Sequence, residues 1–404
     1  MSEGFLRGLL KEYYTSVSVD SVPDISKREF GFGEFGKKIS SRHLEFRSAN
    51  QMNNFLRDKV PFYISYSSAR YEFPSARPME NKTFIDADLI YEFDADDIPT
   101  SCKMSHDSWI CLDCSASGKG SPGECVECGS RKLKIEEWVC PECLNETKIQ
   151  TKKLLKIIDT DFGFGEGVAI NFSGSKGYHI HVRGNKIKDL SKGARLELLD
   201  YLTATNLDFK MCGFYPDKKF FLCPKRSVAK GWQKKLLDGI ESLLDEGNVS
   251  KIAVAGSVRN SAAEKILKEK DNIISTTEKG FLLSVPGVKG EKFWGSVLNY
   301  LAESETLDVD RQTSVDINKI IRVPETIHGS TGLCAVRIPF EELNSFDPLK
   351  DSVVMSDSEI GLANVSCPKF YLNGNWFGPF ENESFSVPSF VAFYLLARKS
   401  GELV

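Results

Sequence analysis

The sequence predicts an α+β protein, mixed β-sheets flanked by helices, and three observations carry that expectation. Short apolar runs with strand character fall at 62–66, 89–93, 168–172 and 180–182. Helical periodicity dominates from about 188 to 305, which marks a helical subdomain inserted between two parts of the chain. Between 102 and 143 the chain is poor in aliphatic residues and rich in paired cysteines, so this insertion must fold around metal rather than around a core of its own.

With 404 residues and 41% hydrophobic content, the chain can bury a large core without disulfides, and residues 1–404 read as one catalytic-sized domain carrying its two insertions. Phe62-Tyr63-Ile64-Ser65-Tyr66 is a strand followed by a Pro-containing loop. Leu89-Ile90-Tyr91-Glu92-Phe93 is a buried strand running into Asp94-Ala95-Asp96-Asp97, closed by Pro99. Ile149, Leu154, Leu155, Ile157 and Ile158 share a helix face that ends at Gly163. Val168, Ile170 and Phe172 alternate as one strand and Ile180 and Val182 as another, joined by the turn Ser173-Gly174-Ser175-Lys176-Gly177. Trp232, Leu236, Leu237, Ile240, Leu243 and Leu244 mark an amphipathic helix, Trp294 to Leu301 a second, and Pro388, Phe390, Phe393, Leu395 and Leu396 a packed terminal helix.

Several classes are excluded at this level. No uncharged apolar run reaches the roughly 20 residues that span a bilayer, and Met1-Ser2-Glu3-Gly4-Phe5 lacks a basic region followed by an apolar stretch, so an intracellular, cytoplasmic protein is expected. A net charge of −4 makes any nucleic-acid contact local rather than a property of the whole surface. Six of the eleven cysteines form three C-x2-C pairs in a short segment of a large chain, a pattern of metal ligation.

The chemistry-bearing residues fall in three segments. Asp94 and Asp96, two apart on a strand, would leave the same face and approach one divalent cation; Mg2+ or Mn2+ suits such oxygen ligands. In Ser173-Gly174-Ser175-Lys176-Gly177-Tyr178-His179-Ile180-His181, a Gly-containing turn with hydroxyls and an ammonium precedes two alternating histidines, a set suited to phosphate oxygens. Far downstream, Asp308-Val309-Asp310 precedes Ile320-Ile321-Arg322-Val323-Pro324 and Ile327-His328-Gly329-Ser330-Thr331-Gly332. Taken singly, each has a bland reading: a solvated acidic loop, an ordinary hairpin, an ion pair beside a capped loop.

Together, YEFDADD (91–97), SGSKGYHIHV (173–182) and IIRVPETIHGSTGL (320–333) resemble the three motifs of the archaeo-eukaryotic primase family, in its archaeal small-subunit branch. Arg28-Glu29-Phe30, Tyr66 to Glu72 and the terminal helix extend the resemblance to most of the chain apart from the helical middle. It implies a primase-type catalytic core that makes short primers on single-stranded DNA by two-metal nucleotidyl transfer from NTPs or dNTPs, releasing pyrophosphate. By the same resemblance, Asp94 and Asp96 hold two Mg2+ or Mn2+ ions with a third aspartate, Asp310, and Asp316 as its fallback. Ser173, Ser175, Lys176, His179, Arg322 and His328 surround the triphosphate. The turn departs from the family in carrying Ser175-Lys176 where arginine is frequent, and Ser330 stands where lysine is common. The resemblance also implies a large-subunit partner in a heterodimer, a place in the replication machinery and association with the nucleoid.

For the cysteines, Cys111, Cys114, Cys125 and Cys128 form one expected Zn2+ ribbon, nested inside a second set, Cys102, His106, Cys140 and Cys143. Adjacent pairs close the smaller loop at lower entropic cost, while spacing leaves open a competing set of Cys111, Cys114, Cys140 and Cys143. One or two structural zinc ions are therefore expected, and the family's zinc knuckle resembles the outer set. Cys212, Cys223, Cys334 and Cys367 read as small buried residues, and His43 as unremarkable. Two other readings compete: a non-catalytic zinc-ribbon protein that binds nucleic acid, and a primase-polymerase of a repair or plasmid system.

Overall fold

The computed structural model describes residues 2–163, 167–184, 187–217 and 220–404. Two compact units emerge: one of residues 1–152, 164–195 and 308–404, the other of residues 153–163 and 196–307.

The first unit opens with a helix, Ser2–Ser16, and the hairpin β1 (Arg28–Glu34) and β2 (Lys37–Leu44). After the helix Ala49–Lys59 comes β3 (Tyr63–Tyr71), buried almost throughout because it pairs with β1 on one side and with later strands on the other. β4 (Phe84–Ala87) pairs with β3, and β5 (Leu89–Asp94) leaves for a second sheet. The candidate metal module follows, with β6 (Ser108–Cys111) between β7 (Ser117–Lys119) and β8 (Leu133–Glu136). A helix, Pro141–Ile157, starts on Pro141, whose missing N–H costs nothing in a first turn. It continues as a π-turn, Ile158–Phe162, ended by Gly163 at φ 64°.

The second sheet gains β9 (Val168–Phe172) and β10 (Gly177–Val182), both antiparallel, with β10 lying between β9 and β5. In the second unit, three two-residue strands, β11 (Tyr215–Pro216), β12 (Phe221–Leu222) and β13 (Phe281–Leu282), form a small sheet beside helices Trp232–Asp245, Val249–Ala255, Asn260–Lys268, Lys270–Thr277 and Gly290–Glu305. Its core is built by Trp232, Leu236, Leu237, Ile240, Leu243 and Leu244 against Trp294, Val297 and Leu298. The chain then returns to the first unit with β14 (Ile320–Arg322) on β3 and β15 (Arg337–Ile338) on β9. β16 (Glu359–Cys367), β17 (Phe370–Leu372), β18 (Asn375–Phe377), β19 (Phe380–Pro388) and β20 (Glu402–Leu403) complete it; β16 lies between β19 and β20. The helix Ser389–Ala397 is apolar all round and buried, as the sequence predicts.

The Arg195 guanidinium is buried against the β4–β5 connection and donates to the carbonyls of Ala87 and Asp88 at 2.8 and 2.9 Å, and the helical unit starts after it, at 196. That unit also recruits 153–163, where Asp161 accepts from Tyr201 Oη at 2.7 Å and pairs with Lys235.

The two main sheets of the first unit meet at a polar seam. Arg28, fully buried, donates to the carbonyls of Ser67 and Ser68 and to both oxygens of Asp88 at 3.1 and 3.2 Å. Tyr66 of β3 stacks on His181 of β10, ring planes 3° apart at 5.9 Å. Among the described residues, no helix is long and apolar enough to cross a membrane.

Candidate active site

The acidic end of β5 is fixed by backbone pairing. Gly177 stands opposite Asp94, Ala95 N–H donates to the Lys176 carbonyl at 3.0 Å, and Asp97 N–H folds back to the Asp94 carbonyl at 3.1 Å. This corrects the expected geometry: the strand ends at Asp94, where its partner hairpin runs out, so Asp96 lies in the following turn. Strand alternation therefore does not bring the two aspartates together; the turn does. It is Glu92 that shares a strand face with Asp94.

Asp94 is surrounded by its own sign. Burial, reinforced by Glu92, Asp96 and Asp97 and opposed by Lys176, pushes its carboxyl up to about 7. Asp97 is likewise raised, by burial and then by Asp96 and Asp310. That last cause locates Asp310: its carbonyl accepts from Ser314 at the start of the helix Arg311–Val315, which packs on β5. Asp310 thus acts electrostatically on Asp97 from a helix packed on β5, although it lies more than two hundred residues downstream. Asp316, by contrast, caps the turn before β14, accepting from Asn318 N–H at 2.9 Å. Asp308 accepts from Gln150 Nε2 at 3.1 Å.

Beside the acids lies a cationic pocket. The turn between β9 and β10 is shaped by Ser173, whose Oγ accepts the N–H groups of Ser175 and Gly177 at 3.3 and 3.2 Å. Gly174 takes φ 76°, and a Cβ there would sit 3.1 Å from His328 Cβ. The Thr331 hydroxyl donates to the Gly174 carbonyl at 2.6 Å, which joins the loop 327–332 to this turn. Arg322, on β14, lies over the Tyr63 ring at 5.1 Å, and its Nη1 is buried with no hydrogen-bond partner among the described residues. Burial lowers its pKa to about 10. His328 is buried edge-on to Tyr63, its Nδ1 3.2 Å from the Ser330 hydroxyl. Burial and then Arg322 hold it well below the ordinary histidine value. His179 is pushed down to about 4 by burial, its Nε2 3.6 Å from Glu92.

Lys176 turns toward the acids, with Nζ 3.0 Å from Asp96 Oδ2 and also in contact with Glu137. Ser175 is half-buried and donates its backbone N–H within the turn. Glu92 and Lys319, paired at 2.5 Å, were not expected; Glu92 was legible as the alternation partner of Asp94, and Lys319 stands just before β14. Lys38 and Arg398 also act on His328 electrostatically, and nothing in the sequence pointed to either.

The cysteines sort into the nested sets. Cys102, His106, Cys140 and Cys143 bring their ligand atoms within 4.8 Å of one another, as do Cys111, Cys114, Cys125 and Cys128. Sulfur pairs stand 3.6 to 3.7 Å apart in the inner set, close to the roughly 3.8 Å edge of a tetrahedron with 2.3 Å Zn–S bonds. In the outer set His106 directs Nε2 at Cys143 and Nδ1 at Asp107, 2.8 Å away, the carboxylate support typical of metal-bound imidazole. Cys223, Cys334 and Cys367 are buried and Cys212 is half-buried, outside both sets.

A family model described as DNA primase small subunit matches residues 135–340. The DNA primase small subunit PriS of Methanothrix thermoacetophila is 30% identical to this chain, covering 99% of it and 98% of the relative. PriS of Nitrosopumilus maritimus is 31% identical, covering 98% and 97%. PriS of Cenarchaeum symbiosum is 26% identical, covering 93% and 92%.

Proposed function

The chain belongs to the DNA primase small subunit family, and from that premise we propose that its acidic cluster and cationic pocket carry nucleotidyl transfer for de novo primer synthesis on single-stranded DNA. The family is one of DNA-directed primases, nucleotidyltransferases, and this chain is the catalytic subunit of such an enzyme. The observation that carries the site assignment is charge. Asp94, half-buried and made reluctant to ionise by burial and by Glu92, Asp96 and Asp97, lies in the same unit as Arg322, whose buried Nη1 has no hydrogen-bond partner among the described residues, and a cation-bound triphosphate answers both needs.

The donor chemistry fits hard divalent cations, Mg2+ or Mn2+, with Asp94, Asp96 and Asp310 as ligands. When bound there, such ions activate the 3′-hydroxyl of the growing strand and neutralise the departing pyrophosphate. The chain's own residues orient the nucleotide. Arg322 offers Nη1 to a phosphate oxygen, and His328, with Nδ1 engaged by Ser330, is left to donate from Nε2. Both histidines are kept neutral by burial, so each contributes a hydrogen bond rather than a charge. Ser173 acts by shaping the turn, not by reaching the substrate. The thiolate and imidazole donors of the two Cys/His sets fit Zn2+ in closed, structural sites.

The small-subunit family implies a large-subunit partner, NTPs or dNTPs as substrates, and a place in the replication machinery inside the cell. A non-catalytic zinc-ribbon adaptor would leave the acidic cluster and Arg322 without purpose. The test is synthesis from nucleotides alone on a homopolymer single strand, using purified protein with either sugar type. Product that requires Mg2+ or Mn2+ is expected; cation-independent product, or none with either sugar, would overturn the assignment.

A further inference from the structure

Lys176 is shared between two carboxylates of different origin. Asp96 belongs to the acidic cluster, whereas Glu137 comes from the exit of the metal module, between β8 and Cys140. Glu137 is itself held on both sides. Its carbonyl accepts from Arg398 Nη1 at 2.9 Å, and the next N–H, that of Trp138, donates at 2.9 Å to Asp107, the carboxylate that supports His106. From the same module, Lys103 Nζ donates to the Asp96 carbonyl at 2.9 Å. The outer Cys/His set thus anchors both the backbone of Asp96 and the second partner of Lys176.

This arrangement poses a problem of competition. An ammonium on Asp96 Oδ2 and a divalent cation on the same carboxylate repel one another, so Lys176 weakens cation binding unless it withdraws. A half-buried ammonium leaves one carboxylate readily only if another is within reach. We infer that Glu137 is a positioning residue for the catalytic cation: it receives Lys176 as the ion takes Asp96, and so clears that ligand. The inference rests on the reading of Asp96 as a cation ligand, and goes beyond it in giving the metal module a part in loading the acidic cluster.

The experiment is a Mn2+ titration of the nucleotide-free, zinc-loaded chain, followed by the electron paramagnetic resonance of free Mn2+. Glu137→Gln leaves Lys176 with Asp96 alone, and Mn2+ affinity falls by about three- to tenfold, the coupling of charges in direct contact. Lys176→Met removes the competitor and binds Mn2+ more tightly than the parent. In that background Glu137→Gln changes affinity by less than about twofold, and Glu137→Asp in the parent background restores part of the lost affinity. Zinc content is measured on the same samples. An unchanged affinity in Glu137→Gln, or an equal loss with and without Lys176, overturns the inference. Mn2+ binding that survives Asp96→Asn intact would instead overturn the site reading on which it rests.

Discussion

Thr331 Oγ1 donates a 2.6 Å hydrogen bond to the carbonyl of Gly174, so two segments more than 150 residues apart in sequence share one wall of the pocket. Thr331 is buried, and its hydroxyl also lies 3.4 Å from His328 Nδ1. Thr331→Val keeps the shape and removes the donor, leaving the Gly174 carbonyl unsatisfied. A loss of about 1–3 kcal/mol in stability is expected, read by denaturant unfolding, together with a raised KM for nucleotide as His328 loses its support. An unchanged midpoint and KM would show that the contact positions nothing.

Removing a carboxylate from the cluster tests its role directly. Asp94→Ala and Asp96→Ala should each reduce nucleotide incorporation by more than the about 10–100-fold that follows loss of a metal's supporting residue. Zinc content should stay at the parent value, since both Cys/His sets are built from other residues. Parent-level incorporation in either variant would remove that aspartate from the site.

Strands β5, β9 and β10 were legible because their alternation and their flanking turns are local signals. What sequence misplaced was Asp96, since only the length of the partner hairpin decides that pairing stops at Asp94. Glu137 and Arg398 could not be foreseen, because their partners come from distant elements. The sheet of β16, β19 and β20 escaped for another reason: β19, FENESFSVP, exposes most of its residues and lacks a buried stripe. The cofactor sets were the most legible of all, as metal-ligand spacing is carried by the chain itself.

His181 should make stability depend on acid. Burial pushes it down to about 4, although Asp88 Oδ2 lies 3.7 Å away. A histidine whose folded value lies below its ordinary 6.5 favours the folded state fully above pH 6.5 and loses that contribution as pH falls toward 4. For a shift of this size the loss is roughly 3 kcal/mol. Burial opposes ionisation of Asp88, but His181, Arg28 and Arg183 hold it below the usual carboxylate range, so its own contribution stays constant across this window. His181→Phe keeps a ring on Tyr66 and should flatten unfolding free energy between pH 6.5 and 4 by about one proton. Identical slopes in parent and variant would sink the assignment.

Metal content separates the two cysteine arrangements. With nested sets, Cys125→Ser paired with Cys128→Ser removes one zinc per chain and leaves the other, because Cys102, His106, Cys140 and Cys143 do not depend on the ribbon. Cys143→Ser should lose the second ion instead and also disturb activity, since Asp107 and Trp138 connect that set to Glu137. Elemental analysis gives the count. A parent holding a single zinc that survives in the first variant would point to the competing pairing of Cys111 and Cys114 with Cys140 and Cys143.

Gly177 is required by approach distance, not by backbone angle. A Cβ there would lie 1.8 Å from the Phe93 carbonyl oxygen and 2.9 Å from Asp94 Cα, both backbone atoms that cannot move without parting β5 from β10. Gly177→Ala should therefore destabilise by at least the about 1–3 kcal/mol of an overpacked core, and it should also displace Asp94 and abolish incorporation. Gly8 is the contrast: it lies within the helix Ser2–Ser16 and nothing stands within 4 Å of its missing Cβ. Gly8→Ala should raise stability by about 0.5–1 kcal/mol through helix propensity and leave activity unchanged. Denaturant midpoints and primer synthesis on the two variants make the comparison, and equal effects would show that the close pairing of β5 with β10 does not set the position of Asp94.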